Sequence, residues 1–169
     1  MSQPTTSPAL RRVFALLATL LVLVVVAQFV LAASGAFDTA PNDESFQPHR
    51  ALGYGIVVFA VLLTIVAALT RIPGRLIGMS ALVAGLGVGQ GLIRAFAAAF
   101  NDTGGTSTTA GKLVFGLHAV NALIILAVAV TVARRAWALS RSSGADRTAG
   151  AGGGSGAIGP AAGPAQPAS

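Results

Sequence analysis

The chain has no cysteine among its 169 residues. That absence removes disulfide frameworks, cysteine-ligated zinc, iron–sulfur clusters and thiol chemistry together. Charge is scarce as well: 9% of the residues are Asp, Glu, Lys or Arg, where soluble domains carry about 25%. With 54% hydrophobic residues, a water-soluble fold would lack the polar surface to cover its core. Trp, Tyr and Lys occur once each. The net charge of +6 therefore comes from arginine. These arginines sit at the ends of apolar runs rather than in a basic stripe interleaved with aromatics, so nucleic-acid binding is excluded. Hydrolytic catalysis meets a similar shortage. No acidic residue falls inside an apolar run, and Ser80 has no histidine at its depth, so a nucleophile–base pair has no place to form and an enzyme is the less favoured reading.

What the sequence does have is long apolar runs. A bilayer-crossing helix needs about 20 mostly apolar residues. Four segments qualify, at about 12–33, 49–70, 75–100 and 112–134. The expected fold is all-α: a polytopic membrane protein whose residues 11–135 form a four-helix transmembrane up-down bundle, short links making sequential spans antiparallel neighbours. Arg11, Arg12, Arg71, Arg75, Arg134, Arg135, Arg141 and Arg147 flank one end, and only Arg50 and Lys112 the other. Excess Lys/Arg marks the cytoplasmic side. Both termini are thus expected in the cytoplasm and the protein in the inner (plasma) membrane. A cleaved signal peptide is the alternative for the first span, with small residues Ala32, Ala33, Ser34, Gly35 and Ala36 behind it. Its apolar stretch, Val13 to Ala33, exceeds the usual ~7–15 residues of such peptides. Residues 1–10 and the Gly/Ala/Pro-rich residues 136–169 cannot bury enough apolar surface to offset their ordering entropy and are expected to be disordered cytoplasmic segments.

In lipid, helices associate through close backbone approach. The third span holds Gly78, Gly85, Gly87, Gly89 and Gly91. Gly85/Gly89 and Gly87/Gly91 are each four apart, placing small residues on two adjoining faces, so this span is expected to touch more than one neighbour and to offer a homo- or hetero-oligomer contact. Polar residues inside a membrane are costly and face the bundle interior, a cavity or a partner. Here they are Gln28, His49, Gln90, Arg94, His118 and Asn121, all in the outer half. His49 and His118 lie on spans two and four. A haem with two axial imidazoles requires such a pair on packed helices. Gly53, one turn below His49, would let a ring edge approach. Asn121 lies one turn below His118. Arg94, with Gln90 one turn deeper, could face the propionates; Arg50 and Lys112 are further rim candidates. The expected ligand is one haem b, with His49 and His118 as metal ligands and a redox partner at the outer face.

The pieces Phe46-Gln47-Pro48-His49-Arg50, Gly87-Val88-Gly89-Gln90-Gly91 and Gly116-Leu117-His118-Ala119-Val120-Asn121 together resemble one four-helix half of haem A synthase, over roughly residues 12–135. The resemblance implies that His49 and His118 are an axial pair. The departures are specific. This chain holds one copy of the unit, has Phe46 where the catalytic half carries a Glu, and lacks the paired loop cysteines, so haem A synthesis does not carry over. The same pieces are similar to uncharacterised small four-helix bacterial membrane proteins, and the Ala/Gly/Arg-rich, Lys-poor composition fits a high-GC bacterium. Three readings stand on the sequence: a b-type haem membrane protein for electron transfer, haem handling or redox sensing; a haem-free structural or accessory membrane protein; and an anion transporter using Arg94 and Gln90. The last is disfavoured by the absence of broken helices and of any polar path through the inner half.

Overall fold

A computed structural model describes residues 7–102 and 106–152. Its helices are α1 (Pro8–Phe37), α2 (Asn42–Ser45), α3 (Gln47–Leu69), α4 (Gly74–Ala98) and α5 (Thr109–Gly152). Among the described residues the only extended pairing is an isolated bridge between Asn101 and Ser107. Four helical segments are long and apolar enough to cross a membrane: α1, α2–α3 taken together, α4 and α5.

The ends of these helices follow from local chemistry. Ser7 caps α1 by accepting the Leu10 N–H at 3.3 Å, and Pro8 supplies a pre-set φ in the first turn. Between α3 and α4 the chain reverses within four residues. The Ile72 N–H donates to the Ala67 carbonyl at 2.9 Å and the Arg71 N–H to that of Ala68 at 3.1 Å, with Arg71 at φ 55°. This pattern is a Schellman cap, with arginine in the left-handed position that usually takes glycine. Ile72 is buried behind it, and Pro73 precedes the first residue of α4.

The four long helices form a closed square. α1 packs against α3 and α5, and α4 packs against the same two, leaving α3 and α5 on one diagonal. Side-chain hydroxyls within the helices bond to the carbonyl four residues back, as Thr19 does to Ala15, Thr64 to Ala60 and Ser80 to Leu76. Each of these hydroxyls is then satisfied within its own helix. The interior is built largely from small residues: Ala15, Ala18, Ala60, Ala67, Ser80 and Ala129 are fully buried, with Phe14, Leu21, Leu63, Val83 and Val132 filling between them. Large apolar side chains point outward instead. Leu23 and Val30 are each 60% exposed, and Leu92 65%. A contiguous greasy exterior of this kind would aggregate in water and is satisfied by acyl chains. The protein is a multi-pass membrane protein.

Two boundaries differ from the sequence expectation. α1 begins at Pro8, within the segment 1–10, and α5 runs past residue 135 to Gly152. Ala136 and Ser140 are buried, and the Trp137 indole donates to Thr19 Oγ1 at 2.9 Å. The Arg134–Arg135 pair marks a polar boundary, but the helix and its packing against α1 continue beneath it. The expected disorder of 1–6 and 153–169 concerns residues outside those described.

The glycines of α4 divide by contact. A Cβ at Gly87 would lie 2.7 Å from Val57 Cγ2 on α3, and one at Gly89 3.7 Å from Asn121 Nδ2 on α5, so α4 meets two neighbours. Gly78, Gly85 and Gly91 face open space, so the Gly85 half of the expected packing pair has no partner within the bundle.

Candidate functional site

His49 sits in the first turn of α3, directly after Pro48, and Gln28 faces it from α1. The two residues are joined twice. Gln28 Nε2 donates to the His49 carbonyl at 2.7 Å, and His49 Nδ1 lies 3.2 Å from the Gln28 carbonyl. A carbonyl oxygen only accepts, so Nδ1 carries the hydrogen and, in the neutral ring, Nε2 holds the free lone pair. Metal-bound histidines are commonly oriented by a hydrogen bond of this type. Phe46, at the start of α3, meets the His49 ring edge-on at 6.1 Å between centroids.

His118 lies in the third turn of α5. Phe115, three residues earlier and on the same helix face, stacks on it with centroids 5.1 Å apart and planes 14° apart. The His118 ring lies beside the Gln90 backbone and within electrostatic reach of His49 and Arg94. The two imidazoles, borne by diagonal helices, meet across the bundle with centroids 6.3 Å apart and planes inclined by 47°. That separation is too short for a third side chain to stand between them. Three polar atoms in this layer are buried without a hydrogen-bond partner: Gln28 Oε1, Gln90 Oε1 and His118 Nδ1. Buried polar atoms rarely stay unpaired, so each of the three invites a water or a ligand.

The other expected site residues take several roles. Gly53 does face the interior, but the space above it is occupied: a Cβ there would lie 3.1 Å from Gln28 Nε2. The missing side chain thus admits the glutamine amide, not an incoming ring edge, which corrects the reading of Gly53. Asn121 is buried and donates through Nδ2 to the Leu86 carbonyl at 2.9 Å, tying α5 to α4. Arg50 pairs with Asp43, its Nη2 donating to the Asp43 carbonyl and its Nη1 lying 3.7 Å from Oδ1. It clamps the short helix α2 to the head of α3. Arg94 is exposed, with no hydrogen bond or ion pair among the described residues. Lys112 is exposed in the first turn of α5. Sequence reasoning noted Gln28 as a polar intrusion without assigning it a partner, and missed Phe46 and Phe115, although the three-residue spacing of Phe115 and His118 was a readable signal.

Among the described residues no group of three or more His, Asp or Glu side chains could hold a metal ion. Among the described residues, His49 and His118 bring two potential ligands to one point. Two surface grooves lie away from the histidines. One of about 570 Å³ runs between α4 and α5 and is lined by Leu92, Phe96, Val114 and Leu117. Another, of about 530 Å³, lies at the arginine-rich end between α1 and α5. Neither is lined by a histidine.

No curated protein and no solved structure matches the chain, and the likeness to haem A synthase finds no support in these comparisons. Residues 28–104 match a family of unknown function, DUF6220, over a stretch that takes in Gln28, His49, Gln90 and Arg94 and stops short of His118, so it is to this family that the last third of α1 and the whole of α2, α3 and α4 are similar.

Proposed function

We propose that this membrane protein holds one b-type haem between His49 and His118. The supporting observation is the ring-to-ring distance of 6.3 Å across the diagonal. A metal held by both imidazoles would leave their ring centres about 6 Å apart, from two metal–nitrogen bonds of about 2 Å and the inner half of each ring. The count of ligands favours a macrocycle over a bare ion, because a site with only two protein ligands suits a metal that brings its own equatorial set. The Gln28 carbonyl fixes the His49 tautomer with Nε2 free, and Arg94 offers an unpaired guanidinium to a carboxylate near the same layer. When bound, a b-type haem supplies a one-electron couple. In this reading the arginine-rich end, and with it both termini, faces the cytoplasm of a bacterial inner membrane, and the histidines sit near the outer face. A redox partner would then meet the protein from outside.

The test is a reduced-minus-oxidised spectrum of the full chain purified in detergent from haem-replete cells. A b-type difference band is expected, and it should be lost in His49→Ala and His118→Ala while gel filtration still shows a folded protein. No band in the wild type, or a band indifferent to both substitutions, overturns the proposal. A haem-free structural role is the second reading. It is favoured by the Gln28 amide filling the space over Gly53 and by grooves that avoid the histidines, and it predicts a colourless protein.

A further inference from the structure

At the end remote from the histidines, α5 meets α1 at Trp137, whose indole N–H donates to Thr19 Oγ1. Thr19 in turn donates to the Ala15 carbonyl at 2.9 Å. The polar edge of the indole is thus used internally, and its ring forms one wall of the 530 Å³ groove between the two helices. Val22, Val130 and Ala133 line the groove toward the membrane centre. Arg134 and Arg141 stand at its rim on either side of Trp137. They are seven residues apart, two turns on one helix face and about 10 Å along the axis. Both are exposed, and neither has a hydrogen bond or ion pair among the described residues. The four carboxylates whose side chains are described, Asp38, Asp43, Glu44 and Asp102, lie at the opposite end, in α2 and the segments that join the spans there. The groove is therefore an apolar slot that opens between two guanidinium groups with no acidic partner among the described side chains, on a bundle whose exterior calls for lipid.

We infer that this groove binds one anionic phospholipid, with its headgroup phosphate between Arg134 and Arg141 and an acyl chain along Val22, Val130 and Ala133. Guanidinium forks match phosphate oxygens in paired hydrogen bonds. Basic pockets between transmembrane helices are recognised headgroup sites. The site is independent of the histidines.

The experiment titrates phosphatidylglycerol or phosphatidylcholine into the full-length protein in detergent and reads the apparent Tm. Phosphatidylglycerol raises the Tm and phosphatidylcholine does not. In the double variant Arg134→Gln/Arg141→Gln the apparent affinity falls by roughly tenfold or more. The double variant Arg71→Gln/Arg75→Gln, which removes the same charge at the same end, keeps it. Ala138→Trp, on the groove wall, weakens the effect with both arginines in place, so the inference stays testable should the double variant misfold. Inorganic phosphate without a lipid tail leaves the Tm unmoved. Equal responses to the two lipids, equal losses in the two double variants, or a shift reproduced by inorganic phosphate would overturn the lipid site.

Discussion

Gln28 shows how much rests on single side chains in a bundle with so few polar groups. Its amide reaches from α1 to the His49 carbonyl, and its own carbonyl receives the His49 ring. Interhelical hydrogen bonds in membranes contribute about 0.6 kcal/mol on average and up to about 1.7. Replacing Gln28 with Met keeps the side chain's length above Gly53 and removes the amide. This substitution should cost about 1 kcal/mol, read as a lower apparent Tm in detergent. Because the His49 ring bonds to a backbone carbonyl, Gln28→Met should leave the difference band that the proposed haem gives in place, in contrast to His49→Ala. The histidine pair was legible in the sequence because polar residues in an apolar run are conspicuous. Gln28's partner was not: 21 residues separate the two, and their meeting depends on how α2 folds the chain back. That fold rests on Gly35, where a Cβ would lie 2.8 Å from the Ser45 carbonyl.

For whole elements, the four spans could be read from hydropathy alone, since a run of apolar residues of bilayer length has few other uses. Which glycine matters could not. Four-residue spacing nominates Gly85/Gly89 and Gly87/Gly91 equally, and only the rotation of α4 within the square decides that Gly87 meets Val57 while Gly85 faces outward. Gly87→Ala should therefore destabilise the bundle by about 1–3 kcal/mol through overpacking, and Gly85→Ala should not. Val57→Ala should recover most of the loss in the double variant, a coupling that thermal unfolding of the four proteins measures directly. The far end of α5 was misread for a related reason. A pair of arginines resembles a membrane boundary in composition, yet a helix can carry its packing face beyond that boundary, as Ala136, Trp137 and Ser140 do.

The described residues form a ring of four long helices, with their charged groups gathered toward the two ends. The absence of cysteine makes its orientation directly measurable. Single cysteines at Ser7 and Ser142 should react with a membrane-impermeant maleimide only after the cells are opened, and one at Thr39 should react in intact cells. The reverse labelling would invert the assignment of the arginine-rich end. This orientation was argued from arginine counts alone, and nothing in the packing of the helices could have supplied it, because the bundle is held together the same way whichever end faces inward.

The diagonal placement of α3 and α5 has a consequence for biogenesis. Translation is vectorial, and α5 leaves the ribosome after the other three described spans. When α1, α3 and α4 have already inserted, His49 is anchored to Gln28 but faces an open side of the half-built barrel. The second imidazole arrives only with the closing stave, so nothing can be gripped between the two rings while synthesis is under way, and a nascent chain stalled before residue 109 would be an empty-handed three-helix intermediate.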